Sequence, residues 1–342
     1  MLRNIPPYKS KNNYQSRSII IEYLFCILAI YPYLYATLQK LTMRGIKFMV
    51  IVYAITCAVA TSFSQSPTLP LIEAFQYAPS NNKYVSAHRG GRFIHGFPEN
   101  CFETFKHTHA NIPQSFLECD VAETKDKTLV LLHDASLDRT TTLSGKLTDF
   151  TWSEIKDAYL IDDFGRQTSY RIPLFNKILQ WAKRMGVILQ VDIKRGVSFA
   201  NVIHTLEKYK MEKQVIVITY NLNDAKKVFK LNSNILIAVN IRNTDEWHRF
   251  KKAGIPNKNI IAFTGTKDKS ADIFNLLHAN KISCIFGSLG NIDKKATQKG
   301  DAVYWDLLKK GVDVFATDNP RNAFRAISTY QPKGQLPLQK RE

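Results

Sequence analysis

Residues 173–194 read PLFNKILQWAKRMGVILQVDIK. Apolar residues recur at helical spacing from Pro173 to Met185, and Gly186 is a helix stop. The short run Val187–Ile193 that follows is rich in branched apolar side chains, which is how a buried strand reads. The same alternation extends outward in both directions. Strands are expected at Tyr84–His88, Phe116–Val121, Val187–Ile193, Val215–Tyr220, Ile235–Ile241, Ile260–Thr264, Ile282–Gly287 and Val312–Thr317. Helices are expected at Asn100–Ala110, Asp224–Leu231, Asp245–Ala253, Ala271–Ala279 and Ala302–Lys310, with Gly254 and Gly311 as further stops. Such alternation predicts an α/β fold of parallel strands, and a single TIM (β/α)8 barrel, typically ~250 residues, fits residues 84–330. The sequence has neither a Rossmann glycine fingerprint nor a P-loop, which counts against a doubly wound sheet.

The stretch 122–172, between the second and third strands, is long for a strand-to-helix connection and has a strand pattern of its own at Thr128–His133. It reads as a small insertion folded over the barrel mouth. Residues 65–83 read as a linker and 331–342 as a flexible tail. Ahead of these lie two apolar runs. The second, Phe48–Ala60, follows the basic Met43-Arg44-Gly45-Ile46-Lys47 and ends in the small residues Ala58-Val59-Ala60. That order describes a secretory signal peptide over 43–64, and export to the periplasm or the medium is expected. Residues 1–42 then read as an in-frame upstream extension, translation starting at Met43. The alternative is an N-terminal membrane segment at Ser18–Leu38, which would leave the protein anchored. Cys57 follows Ile55-Thr56, a poor context for lipid attachment.

Composition narrows the function class. Of 342 residues 45% are hydrophobic and 22% charged, which excludes a disordered or collagen-like chain. Five scattered cysteines without a CxxC pair exclude a zinc ribbon or a disulfide scaffold. The net charge of +18 comes without arginine blocks or an aromatic RNA-binding signature, so a nucleic-acid partner is not expected.

Barrel enzymes carry their chemistry at the C-terminal ends of the strands. Those ends hold His88-Arg89, Glu118 with Asp120, Asp192 with Lys194, and Asp318. The strand period of two turns Glu118 and Asp120 into the mouth and Cys119 back towards the helices. Three converging carboxylates call for a counter-charge. A hard divalent cation, Ca2+ or Mg2+, would supply it, and an ion-pair network through Arg89 and Lys194 is the alternative. Among other histidines, His95 lies in the glycine-flanked loop after the first strand. His107 and His109, two apart on a helix, face different ways and read as surface residues.

The segments Ala87-His88-Arg89-Gly90-Gly91, Pro98-Glu99-Asn100, Glu118-Cys119-Asp120-Val121, Thr124-Lys125-Asp126, His133-Asp134 and Arg139-Thr140-Thr141 resemble, in order and spacing, the glycerophosphodiester phosphodiesterase family. Asp192-Ile193-Lys194 and Thr317-Asp318-Asn319-Pro320 resemble its later motifs. The resemblance implies a metal-dependent hydrolase that releases glycerol 3-phosphate and an alcohol from a small-molecule glycerophosphodiester. It implies His88 and His133 as general acid and base, and Glu118, Asp120 and Asp192 as ligands of the divalent cation. Arg89 and Lys194 become phosphate contacts, with Glu99 and Asp318 in supporting positions. It also implies attack by the substrate's own glycerol hydroxyl, through a cyclic phosphate. Two departures stand out: Asp192 replaces the usual glutamate and is one methylene shorter, and Cys101 replaces a threonine at a position read as helix packing. A phospholipase-D-like action on lysophospholipids and a non-catalytic phosphodiester-binding barrel are the competing readings. No obligate protein partner is expected.

Overall fold

The computed structural model describes residues 69–112 and 115–330. The expected leader over 1–64 and the tail over 331–342 lie outside the described residues. Among the described residues no helix is long and apolar enough to cross a membrane.

The strands are β1 (Tyr84–Ala87), β2 (Ser115–Glu123), β3 (Leu129–Leu131), β4 (Tyr159–Ile161), β5 (Gln167–Arg171), β6 (Leu189–Ile193), β7 (Val215–Ile218), β8 (Leu236–Asn240), β9 (Ile260–Phe263), β10 (Cys284–Gly287) and β11 (Val314–Thr317). Strands β1, β2 and β6 to β11 pair in parallel, and β1 closes the ring by bonding to both β2 and β11. This is the expected (β/α)8 barrel. Strands β1, β7, β8 and β9 end one or two residues earlier than the apolar runs imply, β2 runs two residues further, and β6, β10 and β11 end as expected. His88 leaves β1 into a tight turn at His88–Gly90, and Tyr220 stands beyond β7, because residues at the mouth spend their polar groups on one another. Helices at Phe199–Lys208, Asn291–Lys299 and Pro320–Thr329 complete the alternation, the first and last capped by Ser198 and Asn319.

Three apolar clusters hold the molecule together. The outward faces of the strands, with Leu117, Cys119, Val121 and Val191, pack against the helices. Inside the barrel Phe116, Ile216, Leu236, Ile261, Ile285 and Val314 meet Leu71, Ile72 and Phe75. The stretch read as a linker over 65–83 is therefore, from Leu69 onward, a plug for the barrel floor. Its helix, Leu71–Ala74, is too short to leave a periodic signature. The third cluster belongs to the insertion, where β3 pairs antiparallel with β2 and β4 with β5. Cys101 joins that cluster rather than packing its own helix. It precedes helix Phe102–Asn111, and burial pushes its thiol up to about 12. Cys101, Cys119 and Cys284 are all free and buried.

Candidate active site

Strand register creates the centre of the site. Asp120 on β2 stands opposite Asp192 on β6, and Glu118 opposite Gln190, so three carboxylates meet in one corner of the mouth. They are 6%, 2% and 5% exposed for Glu118, Asp120 and Asp192, with one oxygen from each lying within 4.8 Å of the others. Burial pushes Glu118 well above the ordinary glutamate range, and the Asp120 and Asp192 charges add to that. Burial likewise raises Asp192, with Asp120 adding to it and Lys194 opposing. Asp120 is the exception. Burial works against its charge, but Lys194 and the Asn100 amide hold it below the usual aspartate range.

The partners are few. Lys194 Nζ donates to Asp120 Oδ1 at 3.1 Å and to Asp192 Oδ2 at 3.2 Å. Asn100 Nδ2 donates to Asp120 Oδ2 at 2.7 Å. Tyr220 donates its hydroxyl to Asp192 Oδ2 at 2.8 Å, and Asp192 Oδ1 is buried without a partner. The Arg89 backbone N–H donates to Glu118 Oε2 at 2.6 Å. It can do so because Arg89 adopts a left-handed conformation (φ 54°), which costs roughly 1–2 kcal/mol for a residue with a Cβ. The next residue must be glycine: a Cβ on Gly90 would stand 2.0 Å from the Phe105 ring.

Two histidines face this corner. His88 Nδ1 lies 2.7 Å from Asp318 Oδ1, and His133 Nδ1 lies 2.6 Å from Asp134 Oδ1. A carboxylate only accepts, so each Nδ1 carries the hydrogen and each Nε2 is left to exchange a proton. The His88 contact helps to hold Asp318 below the ordinary aspartate range, against its burial. Behind them Glu99 hydrogen-bonds two arginines, Arg139 as a two-nitrogen fork and Arg89 through one nitrogen, with Arg92 Nε 3.4 Å from its Oε2. Arg89 Nη1 donates to both of its oxygens at 2.8 and 2.9 Å, and Arg139 Nη1 and Nη2 donate at 2.9 and 2.8 Å. Arg139 Nε reaches on to Asp134 Oδ2 at 2.6 Å, so Glu99 steadies His133 through Arg139 and Asp134. Against burial, these arginines hold Glu99 below the ordinary range.

A cavity of about 240 Å³ occupies the mouth, lined on one side by His88, Glu118, Asp120, His133, Asp192 and Lys194. Ile218, Ala238, Phe263, Leu289 and Ala316 form its apolar side. Arg89 is not among the lining residues. Its side chain points back to Glu99, and its buried Nε, 3.7 Å from Asp120 Oδ2, has no hydrogen-bond partner. A larger cavity of about 640 Å³ lies beyond Asp318 and includes none of the three carboxylates. His95 lines that outer space, stacked on Phe164, and His107 lines it against Phe97. His109, read as a surface residue, is half-buried edge-on to Trp181.

The trio fits a divalent cation. The one ammonium, Lys194, pairs with Asp120 and Asp192 but not with Glu118, the donor set is all oxygen, and Asp192 Oδ1 is a buried acceptor with nothing to accept from. Glu118, Asp120 and Asp192 are the residues that would hold it.

The sequence profile of the glycerophosphoryl diester phosphodiesterase family matches residues 88–277. The chain belongs to that family. It is 25% identical over 249 residues to a glycerophosphodiester phosphodiesterase of Bacillus altitudinis, spanning 70% of this chain and 96% of the relative. It is 32% identical over 153 residues to one of Caldanaerobacter subterraneus, spanning 42% of this chain and 62% of the relative. The solved structure of a glycerophosphoryl diester phosphodiesterase from Parabacteroides distasonis superposes with a TM-score of 0.72 at 30% identity, covering 77% of this chain and 92% of that one. The chain is thus classed among the glycerophosphodiester phosphodiesterases, hydrolases of phosphoric diesters. In this phosphodiesterase chain, the sequence reading gave no role to Asn100, Asp134, Arg139 or Tyr220. The first three stand inside the quoted motifs, and Tyr220 ends an expected strand, so their positions were visible and their partners were not.

Proposed function

We propose that the protein hydrolyses glycerophosphodiesters to glycerol 3-phosphate and an alcohol at this mouth. His88 and His133 serve as the acid–base pair, and Glu118, Asp120 and Asp192 hold Ca2+ or Mg2+. The observation that carries the reading is one cavity faced by two carboxylate-held histidines and by a buried carboxylate trio with an unpartnered oxygen. Bound there, a divalent cation would neutralise the diester's charge and the charge that grows in the transition state. Lys194 lines the cavity and can share that task, and the unspent Nε of Arg89 is a second donor close behind it. One imidazole Nε2 takes the proton of the attacking hydroxyl, and the other delivers a proton to the departing alkoxide, help of roughly 10²–10⁴-fold. In the net reaction water gives its hydroxyl to phosphorus and its remaining hydrogen to the alcohol.

The test is glycerol 3-phosphate release from glycerophosphocholine and glycerophosphoethanolamine by the purified protein, with Ca2+ or Mg2+, with chelator, and with His88→Ala. Product that needs the ion and disappears in the variant is expected. No product from either substrate with either ion would overturn the reading, and lysophospholipids are the next substrates to offer. The leader and its export remain part of the same proposal: secreted material should begin downstream of Ala60.

A further inference from the structure

A third cavity, of about 350 Å³, opens between the insertion and the loop after β6. His133 and Lys194 line both this space and the catalytic cavity, so the two meet along those side chains. Its charges are lopsided. Glu123 is taken by Lys127 and Asn201, and Asp134 by His133 and Arg139. Lys125, Lys146 and Arg195 are exposed on the rim and carry no ion pair among the described residues. The carboxylate that acts on Lys125 from further off is Glu154, already bonded to Thr151.

A phosphodiester seated over the carboxylate trio, between the two histidines, has two arms. The glycerol arm is uncharged, and hydroxyls do not need a ring of cations. Three unpaired cations around a cavity that begins at His133 raise the local potential, and that potential is relieved by an anion. We propose that this cavity is a subsite for an anionic group on the alcohol arm. The preferred substrates are then glycerophosphodiesters whose alcohol bears a further phosphate or carboxylate, rather than the cationic choline. This rests on the phosphodiesterase reading above, and the experiment separates the two.

Glycerophosphoglycerol and its terminal phosphate ester differ by one phosphate group, and the salt dependence isolates the part of its effect that is charge. Turnover of both, and of glycerophosphocholine, is measured by loss of the phosphodiester's phosphorus NMR signal at about 50 and about 300 mM salt, because the phosphate-bearing substrate yields two glycerol phosphates per turnover. The phosphate-bearing substrate should exceed glycerophosphoglycerol in kcat/KM by about tenfold at low salt, and by markedly less at high salt. Lys146→Gln with Arg195→Gln should lower that ratio by about threefold for each charge removed. Both side chains are exposed, so the fold tolerates the change. A ratio near one, a ratio the double variant leaves untouched, or a preference for glycerophosphocholine would overturn the subsite while the phosphodiesterase reading stands. No product from any of the three would overturn both.

Discussion

Strand β11 has an aspartate at each end, and each aspartate bonds a histidine. At the floor of the barrel Asp313 Oδ2 meets His278 Nε2 at 2.8 Å; at the mouth Asp318 Oδ1 meets His88 Nδ1 at 2.7 Å. The floor pair is fully balanced. Lys83 Nζ reaches Asp313 Oδ1 at 2.7 Å, the Cys284 N–H donates to its other oxygen at 2.8 Å, and Tyr77 stacks flat on His278 at 3.5 Å. His278, Cys284 and Asp313 are close enough to ligate a metal, but Lys83 already supplies the positive charge, and none of them keeps a buried unpartnered atom. The mouth differs in two ways. Its carboxylates outnumber its local cations, and a cavity stands in front of them. A histidine–aspartate pair is thus a rivet where every charge is matched, and a chemical device where charge is left over beside open space.

The sharpest break between the two ends is turnover. Removing the imidazole at the mouth, by His88→Ala or His133→Ala, should cost roughly 10²–10⁴-fold in kcat. His278→Ala should leave kcat within a few fold and lower the melting temperature instead. Steady-state kinetics beside a thermal melt decide it, and a large kcat loss in His278→Ala would erase the distinction.

The aspartates should divide in the same way. Asp313→Ala strips partners from Lys83, His278 and the Cys284 N–H, and should destabilise by about 3 kcal/mol, read by denaturant titration. Asp318→Asn removes the charge and lets an amide N–H face His88 Nδ1, so the tautomer is no longer fixed, and should cost about 10–100-fold in kcat/KM with little change in stability.

The barrel was legible because it is written in local periods. The run Val187–Ile193 after Gly186 reads as a strand without knowledge of its neighbours, and the period of two puts Asp120 and Asp192 on the inner face. Relations across the fold were not legible. Glu99 meets Arg139 forty residues on, Tyr220 crosses from the end of β7 to Asp192 on β6, and Lys83 meets Asp313 across the whole domain. Nothing local marks such pairs. The plug at Leu71, Ile72 and Phe75 escaped for a related reason, since one turn of helix carries no period to read.

A smaller contrast lies in the response to ions. Saturating Ca2+ or Mg2+ should raise the melting temperature, by about 2.7 kcal/mol of stabilisation at a hundredfold excess over Kd. Glu118→Gln should abolish that gain, and Asp313→Ala should keep it. A shift that survives Glu118→Gln would place the ion elsewhere. Tyr220→Phe removes the hydroxyl that holds Asp192 Oδ2 while Oδ1 stays unpartnered. The loss of one hydrogen bond to a charged group, worth about 1.5–3 kcal/mol, should weaken ion binding by about tenfold or more in a titration followed by melting temperature. An unchanged ion affinity would mean that Asp192 keeps its position without Tyr220, despite its shorter side chain.

The smallest effect belongs to the edge of the mouth, where Asp134 joins His133 to Arg139. The Arg139 hydrogen bond, with help from His133 and against a modest burial cost, lowers Asp134 to about 2. A carboxylate depressed in the folded state binds its proton more weakly there than in the unfolded chain, where its pKa is about 3.9. Its contribution to stability is therefore present above about pH 4 and is lost as the pH falls towards 2. Asp134 keeps 29% of its side chain exposed at the rim, so solvent screening holds the contribution to about 1 kcal/mol or less. Asp134→Asn should flatten the acid limb of the stability curve between about pH 4 and 2 and leave the difference from the parent constant above it. A limb as steep in the variant as in the parent would mean that the Asp134 charge is idle in the fold, and that the histidine–aspartate contact serves orientation alone.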